Sequence, residues 1–403
     1  MGLTGTAYRL TGEQQVDVVG HGASADLFSR EGQVVLGLGA ALTIDLPEGL
    51  TSSEALESAT ASLATIQLAG PGPAPVALGA FGFLPGAPAR FVVPELTYLD
   101  LDGERFVLHV GETDTPPSLD EALAKLAAPE GPEEAGPSRE VDLEASRPAY
   151  EQAVASALER IGGDPDRKIV LAREVELIGH ADPVAILRRL HDLEPSCTLY
   201  AVSAGEERFV GASPELLVRR RGRSFESFPL AGTVALAEGS AAVHRLTLSE
   251  KDRREHGLVV QDLIERLRPL CAELVVPAAP SVVVLRSVAH LGTQVLGKGG
   301  ASALALLAAI HPTPAVGGLP REWALQAIAE LEEHDRGLWA GAVGWFNASG
   351  DGEFVLGIRG AFCSASSTRV PAGAGIVEGS DPQAEARETA YKIRAITDAV
   401  ELA

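Results

Sequence analysis

Lysine is scarce in this chain: of 33 basic residues only five are lysine, at 125, 168, 251, 298 and 392. Acidic side chains number 55, and the formal net charge is -22. That balance excludes a protein built to neutralise a phosphate backbone, so no nucleic-acid partner is expected. An anionic small molecule would need a metal ion or a locally basic pocket to be held here. Cysteine is scarce as well. Cys197, Cys271 and Cys363 are odd in number, far apart and without a C-x-x-C pair, which excludes a disulfide framework or thiolate zinc site and fits a reducing compartment. No apolar run is long enough to cross a bilayer and no basic-then-apolar leader opens the chain, so a cytoplasmic protein with no membrane partner is expected. Also missing are a G-x-S-x-G elbow and a P-loop, which VLGKGG fails by spacing.

What remains is globular composition, 46% apolar and 22% charged over 403 residues. Residues 1–127 read as scaffold: strands at Gln33–Leu38, Ala41–Leu46, Phe91–Leu96 and Arg105–Val110, helices at Ser52–Leu68 and Ser118–Leu126. Residues 128–149, rich in Pro, Gly and Glu, read as an exposed connector. The part from 150 to 403 carries the chemistry. Its reading runs helix Tyr150–Ile161, strand Lys168–Leu177, helix Pro183–Leu193, strands Thr198–Ser203 and Arg208–Ser213, and an apolar run Ser281–Leu291. Helices Ala301–Ile310 and Arg321–Leu331 follow, then a hairpin from Gly341–Phe346 and Glu353–Ile358, and a last helix Pro382–Leu402. Hairpin-linked strands outnumber crossover helices, which predicts an α+β fold: one large domain of mixed, mainly antiparallel sheets flanked by helices.

The stretch SEKDRREHGLVVQDLIERL, Ser249–Leu267, organises the candidate site. Ser249 and Asp252 form a capping-box pattern, and Leu258, Val259, Leu263, Ile264 and Leu267 make an apolar stripe. Asp252 and Glu255 share a helical face. On the last helix Glu385, Glu388 and Lys392 fall at i, i+3 and i+7. Two helices offering carboxylates suit Mg2+, which takes oxygen ligands and seldom has a dedicated cage; capping and solvated surface charge are the alternative uses. AGAGIVEGSD spaces its glycines G-x-G-x-x-x-G, which is not the dinucleotide fingerprint. It suggests close backbone approach, with N–H groups facing an anion ahead of the last helix. Lys168 heads an otherwise apolar strand, where a lysine either snorkels at an edge or serves as a base once buried. Glu215 stands among apolar neighbours that favour its protonated form. His256, His290 and His311 have no ligand spacing to one another.

Together KIVLAR, GASPELL, PLAGT, LSEKDRREH, HLGTQVLGK, HPTPAVGGLP, AGAVGWFNASGDGEF, IRGA and AGAGIVEGSDPQAEARETAYK resemble the chorismate-utilising enzymes, and within them the isochorismate synthases. The match covers about residues 150–395 in the family's order. The resemblance implies the anthranilate synthase-like chorismate-binding fold and Mg2+-dependent conversion of chorismate to isochorismate, feeding menaquinone or siderophore biosynthesis. By position, Glu255 and Glu388 would hold the metal, supported by Asp252 and Glu385, and the metal would bind the ring carboxylate. Arg359 would bind the enolpyruvyl carboxylate, helped by Gly373, Gly375 and the backbone at Gly232 and Thr233. Lys392 would sit near the metal, and His290 would line the ring. Lys168 would be the base that delivers water to C2, and Glu215 the acid that protonates the departing C4 hydroxyl. Ala231 stands where a covalent lysine is found in other members. Ala315 stands where lyase-competent relatives tend to carry threonine, which speaks against the rival reading, a salicylate synthase. A catalytically silent aromatic-ligand-binding relative is a further alternative. Use of water rather than ammonia implies that no glutaminase subunit is needed.

Overall fold

Side chains along Thr198–Ala204 alternate cleanly: Leu199 and Ala201 enter one apolar cluster, Tyr200 and Val202 the other. That alternation belongs to a strand buried on both faces, and it locates the centre of a twelve-stranded sheet. The structure, a computed structural model, describes residues 3–11, 16–112, 116–127, 142–179, 181–239 and 241–401. A nine-stranded sheet faces the larger one, and a three-stranded sheet lies beside them. Pairing is antiparallel apart from Thr4–Arg9 with Gln67–Ala69, which is parallel. Phe28, Tyr200 and Phe209 from the large sheet meet Phe81, Phe91, Phe346 and Phe354 from the second in one core. Helices Pro183–Leu193 and Pro382–Glu401 cover the outer face of the large sheet. The expected α+β arrangement, one domain of mixed sheets flanked by helices, is the one observed.

Strands from before and after residue 128 share both large sheets. Leu27–Ser29 pairs with Leu199–Ala201, and Val76–Phe81 pairs with Ala342–Asn347. Fourteen of the residues expected as a connector, 128–141, lie outside the described ones. Its end is no loose linker. Arg147 opens the helix Arg147–Ile161, three residues earlier than expected, with ion pairs to Glu144 at 3.0 Å and Glu151 at 2.7 Å. Arg173 donates to the Leu143 carbonyl at 2.8 Å.

Three stretches fold differently from the sequence reading in kind as well as in their ends. The strand expected over Phe91–Leu96 is two strands, Ala89–Val93 in the nine-stranded sheet and Leu96–Leu101 in the twelve-stranded one. Pro94, which has no N–H to donate, marks the switch between sheets. The helix opened by Ser52, which accepts from Ala55 N at 3.2 Å, ends at Ala64, and Gln67–Ala69 turns into an edge strand. The run Ser281–Leu291 folds back on itself as strands Ser281–Val284 and Val288–Gly292.

Candidate active site

Helix Glu250–Leu267 starts where the sequence says it should. Ser249 accepts from Asp252 N at 3.2 Å, and Val259, Leu263 and Leu267 are buried beneath it. This orientation turns Asp252 and Glu255 toward the last helix. There Glu385 and Glu388 share a face with Lys392, which reaches Glu388 at 2.7 Å. Lys251 reaches across to Glu385 at 3.0 Å. All four carboxylates line one hollow between the two helices. Crowding shows in their protonation: burial and then the charge of Glu388 push Glu385 up to about 6.

Lys168 is not an edge residue with its ammonium in water. It heads strand Lys168–Ile178 yet is wholly buried, and its Nζ lies 2.9 Å from Glu255 Oε1. Burial pushes the Glu255 carboxyl up, but the charge and hydrogen bond of Lys168, with Lys251 and Lys392, more than compensate and hold it low. Gly375 makes the pair sterically feasible. A Cβ at that position would lie 2.4 Å from Glu255 Oε1 and 2.8 Å from Lys168 Cε.

The AGAG stretch is strand rather than loop. Gly373 and Gly375 belong to strand Ser367–Ile376, opposite Ala172 and Val170, whose own N–H groups turn away to Glu332 and Gly317. Gly373 contributes its carbonyl, which accepts from Lys392 Nζ at 2.7 Å.

A second cavity adjoins the acidic hollow and shares Thr233, Glu255, Gly375 and Glu388 with it. Its walls include Glu215, Gly232, His290, Ala315, Arg359, Gly373 and Lys392, so residues spread over most of the second half of the chain converge there. Lys168 packs against the wall residue Gly375 without lining the cavity itself, while Asp252 and Glu385 line only the adjoining hollow. Glu215 is buried, and its Oε1 has no hydrogen-bond partner in the protein. Burial pushes its carboxyl up to about 8, against a backbone hydrogen bond from Leu230 and the charges of Lys168 and Lys392. A carboxylic acid that keeps its proton at neutral pH and points an unpaired oxygen into a cavity is poised to donate.

On the opposite wall Thr233 Oγ1 lies 3.0 Å from His290 Nδ1, and Arg359 Nη2 lies 3.1 Å from His290 Nε2. Burial, then the charges of Arg359 and Lys392, hold His290 well below the ordinary imidazole value. Arg359 adopts φ +55°, a backbone conformation that non-glycine residues seldom take and that clusters at functional sites. The other two histidines are structural. His256 Nε2 meets Thr293 Oγ1 at 2.7 Å, and His311 Nε2 lies 3.1 Å from the carbonyls of both Gly82 and Phe83.

Trp339, Leu230, Leu356 and Ile358 supply apolar wall that sequence reasoning missed. Such residues carry no polar signature, and they come from three separate segments. Lys251 was missed as a partner of the acidic cluster; its place one residue before Asp252, in so lysine-poor a chain, was the available signal.

The carboxylate set contains no thiol or imidazole, which suits a hard divalent cation. Among the described residues no three acidic, histidine or cysteine groups form a ready-made cage. A site completed by water and an anionic substrate needs none.

Comparison with known proteins bears on the family and the fold. The sequence profile of the family described as chorismate binding enzyme matches residues 27–401. The vibriobactin-specific isochorismate synthase of Vibrio cholerae is 36% identical over 332 residues, covering 80% of this chain and 78% of that one. The isochorismate synthase EntC of Escherichia coli is 41% identical over 253 residues, 60% of this chain and 65% of that protein. In fold, the menaquinone-specific isochorismate synthase of Escherichia coli superposes with a TM-score of 0.81 at 24% identity, over 99% of this chain and 95% of that one.

Proposed function

Since the chain belongs to the chorismate-binding enzymes and is an isomerase that converts chorismate to isochorismate, we propose a division of labour among its own residues. Lys168 is the general base that directs water to C2 of the ring. Glu215 is the general acid that protonates the C4 hydroxyl as it leaves. Water enters and water departs, so the net change is isomerisation. The observation that carries this reading is the cavity lined by both Glu215, whose Oε1 has no partner in the protein, and Glu255, whose Oε1 lies 2.9 Å from the buried Lys168 Nζ. Acid and base work needs two groups whose environments drive their proton affinities apart.

Arg359 holds the enolpyruvyl carboxylate through its forked donors, and Lys392 lies near the ring carboxylate. Glu255 and Glu388 are the residues to hold Mg2+, with Asp252 and Glu385 beside them. When bound, the ion would supply positive charge to the ring carboxylate and compete with Lys168 for Glu255. Water as nucleophile means that the chain works without a glutaminase partner, and no helix among the described residues is long and apolar enough to cross a membrane. We place the activity in the cytoplasm.

The test is product analysis: purified protein, chorismate and Mg2+, resolved by HPLC with an EDTA control. Isochorismate as the main, EDTA-sensitive product is expected. Salicylate with pyruvate as the main products would overturn the reading that the reaction stops at isochorismate. Two variants refine it. Glu255→Gln should raise the Mg2+ concentration needed for half-maximal rate by about tenfold or more, since one carboxylate is a large share of a site completed by water; full activity at low Mg2+ would remove Glu255 from the metal. Ala315→Thr, which changes the cavity wall, should raise pyruvate released per turnover. An unchanged product ratio would show that this position does not control elimination.

A further inference from the structure

We infer that His290 is a positioning residue: its neutral imidazole, anchored by Thr233, accepts a hydrogen bond from Arg359 and so fixes the guanidinium that grips the substrate's side-chain carboxylate. The inference rests on the proposed role of Arg359.

A guanidinium can only donate. The 3.1 Å contact from Arg359 Nη2 therefore requires an unprotonated Nε2 on His290. The ring hydrogen must then sit on Nδ1, where two acceptors receive it: Thr233 Oγ1 at 3.0 Å and the backbone of Gly232. These contacts select one tautomer and leave the imidazole no freedom to rotate. Strand pairing reinforces them, because Thr233 and His290 are register partners across neighbouring strands of the three-stranded sheet.

Arg359 needs such a brace. It lies outside regular strand structure, between Leu356 and Gly360, with φ +55°. Its long side chain would otherwise sample several rotamers in the cavity, and ordering it would draw on binding energy. Among the described residues the Arg359 side chain makes one hydrogen bond, to His290, which leaves the rest of its donor fork for a carboxylate. A residue that lines the ring by contact alone would require neither the tautomer nor the register.

Two amides of different length test the idea in the full-length protein with Mg2+ and chorismate. His290→Asn places its polar atoms where Nδ1 was, keeping the Thr233 side while failing to reach Arg359. His290→Gln places an oxygen near the former Nε2. The Asn variant should raise KM about tenfold with kcat within about threefold, and Gln should recover most of that loss. In an Arg359→Met background the Asn change should raise KM no further, because it acts through Arg359. Losses that multiply in the double variant, or a fall in kcat with KM unchanged, would overturn the positioning role. An unchanged KM in Arg359→Met alone would sink the carboxylate assignment, and the inference with it. Thermal melts distinguish loss of fold; if Asn unfolds the protein, His290→Gln with KM raised as far as in Arg359→Met overturns the proposal.

Discussion

Glu215→Gln should lower kcat by roughly 10²–10⁴-fold, the usual contribution of a general acid, and change KM little. The amide keeps the shape of the side chain but has no acidic proton to give the leaving hydroxyl. In the parent enzyme the acid limb of the mechanism should fail as pH rises through about 8, where Glu215 loses its proton. This limb should vanish from whatever activity the variant retains. Stability of the parent should fall with rising pH as well. Because burial raises the Glu215 carboxyl above its ordinary value of 4.5, the folded protein binds more protons than the unfolded chain between 4.5 and about 8. The parent therefore loses stability with rising pH across that window, by up to about 1.4 kcal/mol per pH unit from this group. Glutamine has no charge to bury, so the variant should melt higher than the parent at pH 9. Melting curves at pH 6 and pH 9 check the sign, and a variant that melts lower at pH 9 would mean that the carboxyl is not held in its neutral form.

Lys168→Met is expected to be equally severe on catalysis and to differ in its effect on the fold. Removal of the base should cost roughly 10²–10⁴-fold in kcat. Removing one member of a buried ion pair also leaves the other uncompensated, typically at a cost of about 3–5 kcal/mol. Lys251 and Lys392 face Glu255 as well and should reduce that cost. Thus Glu215→Gln should give an inactive, sturdy protein and Lys168→Met an inactive, weakened one. Activity within tenfold of the parent in a folded Lys168→Met protein would remove Lys168 from the mechanism.

The site was legible wherever chemistry needs a polar residue at a helical spacing. Ser249, Asp252 and Glu255 on one helix and Glu385, Glu388 and Lys392 on another announce two facing acidic surfaces, and the structure brings them to one hollow. What could not be read was depth. A lysine at the head of a strand looks the same in sequence whether it snorkels or is sealed, and only the packing of Gly375 against it decides. The glycine pattern was open for a related reason: a missing Cβ serves close approach of a side chain in a strand as well as of an anion in a loop. Fold class followed from the hairpin spacing. Element ends did not, because Pro94 and Thr65 mark changes of sheet and of direction that only the tertiary partners specify.

The sharing of both large sheets by the two ends of the chain has a consequence for biosynthesis. Val76–Phe81 emerges early, but one of its two neighbours is Ala342–Asn347. At roughly 5–20 residues per second, that edge of six buried residues waits on the order of 13–50 s for its partner. A half-made chain therefore exposes an apolar, unpaired strand edge throughout most of its synthesis, the kind of surface that holdase chaperones shield. Translation speed and chaperone supply should then bear on the yield of active enzyme. Slower decoding late in the message should lower that yield even when the protein sequence is unchanged.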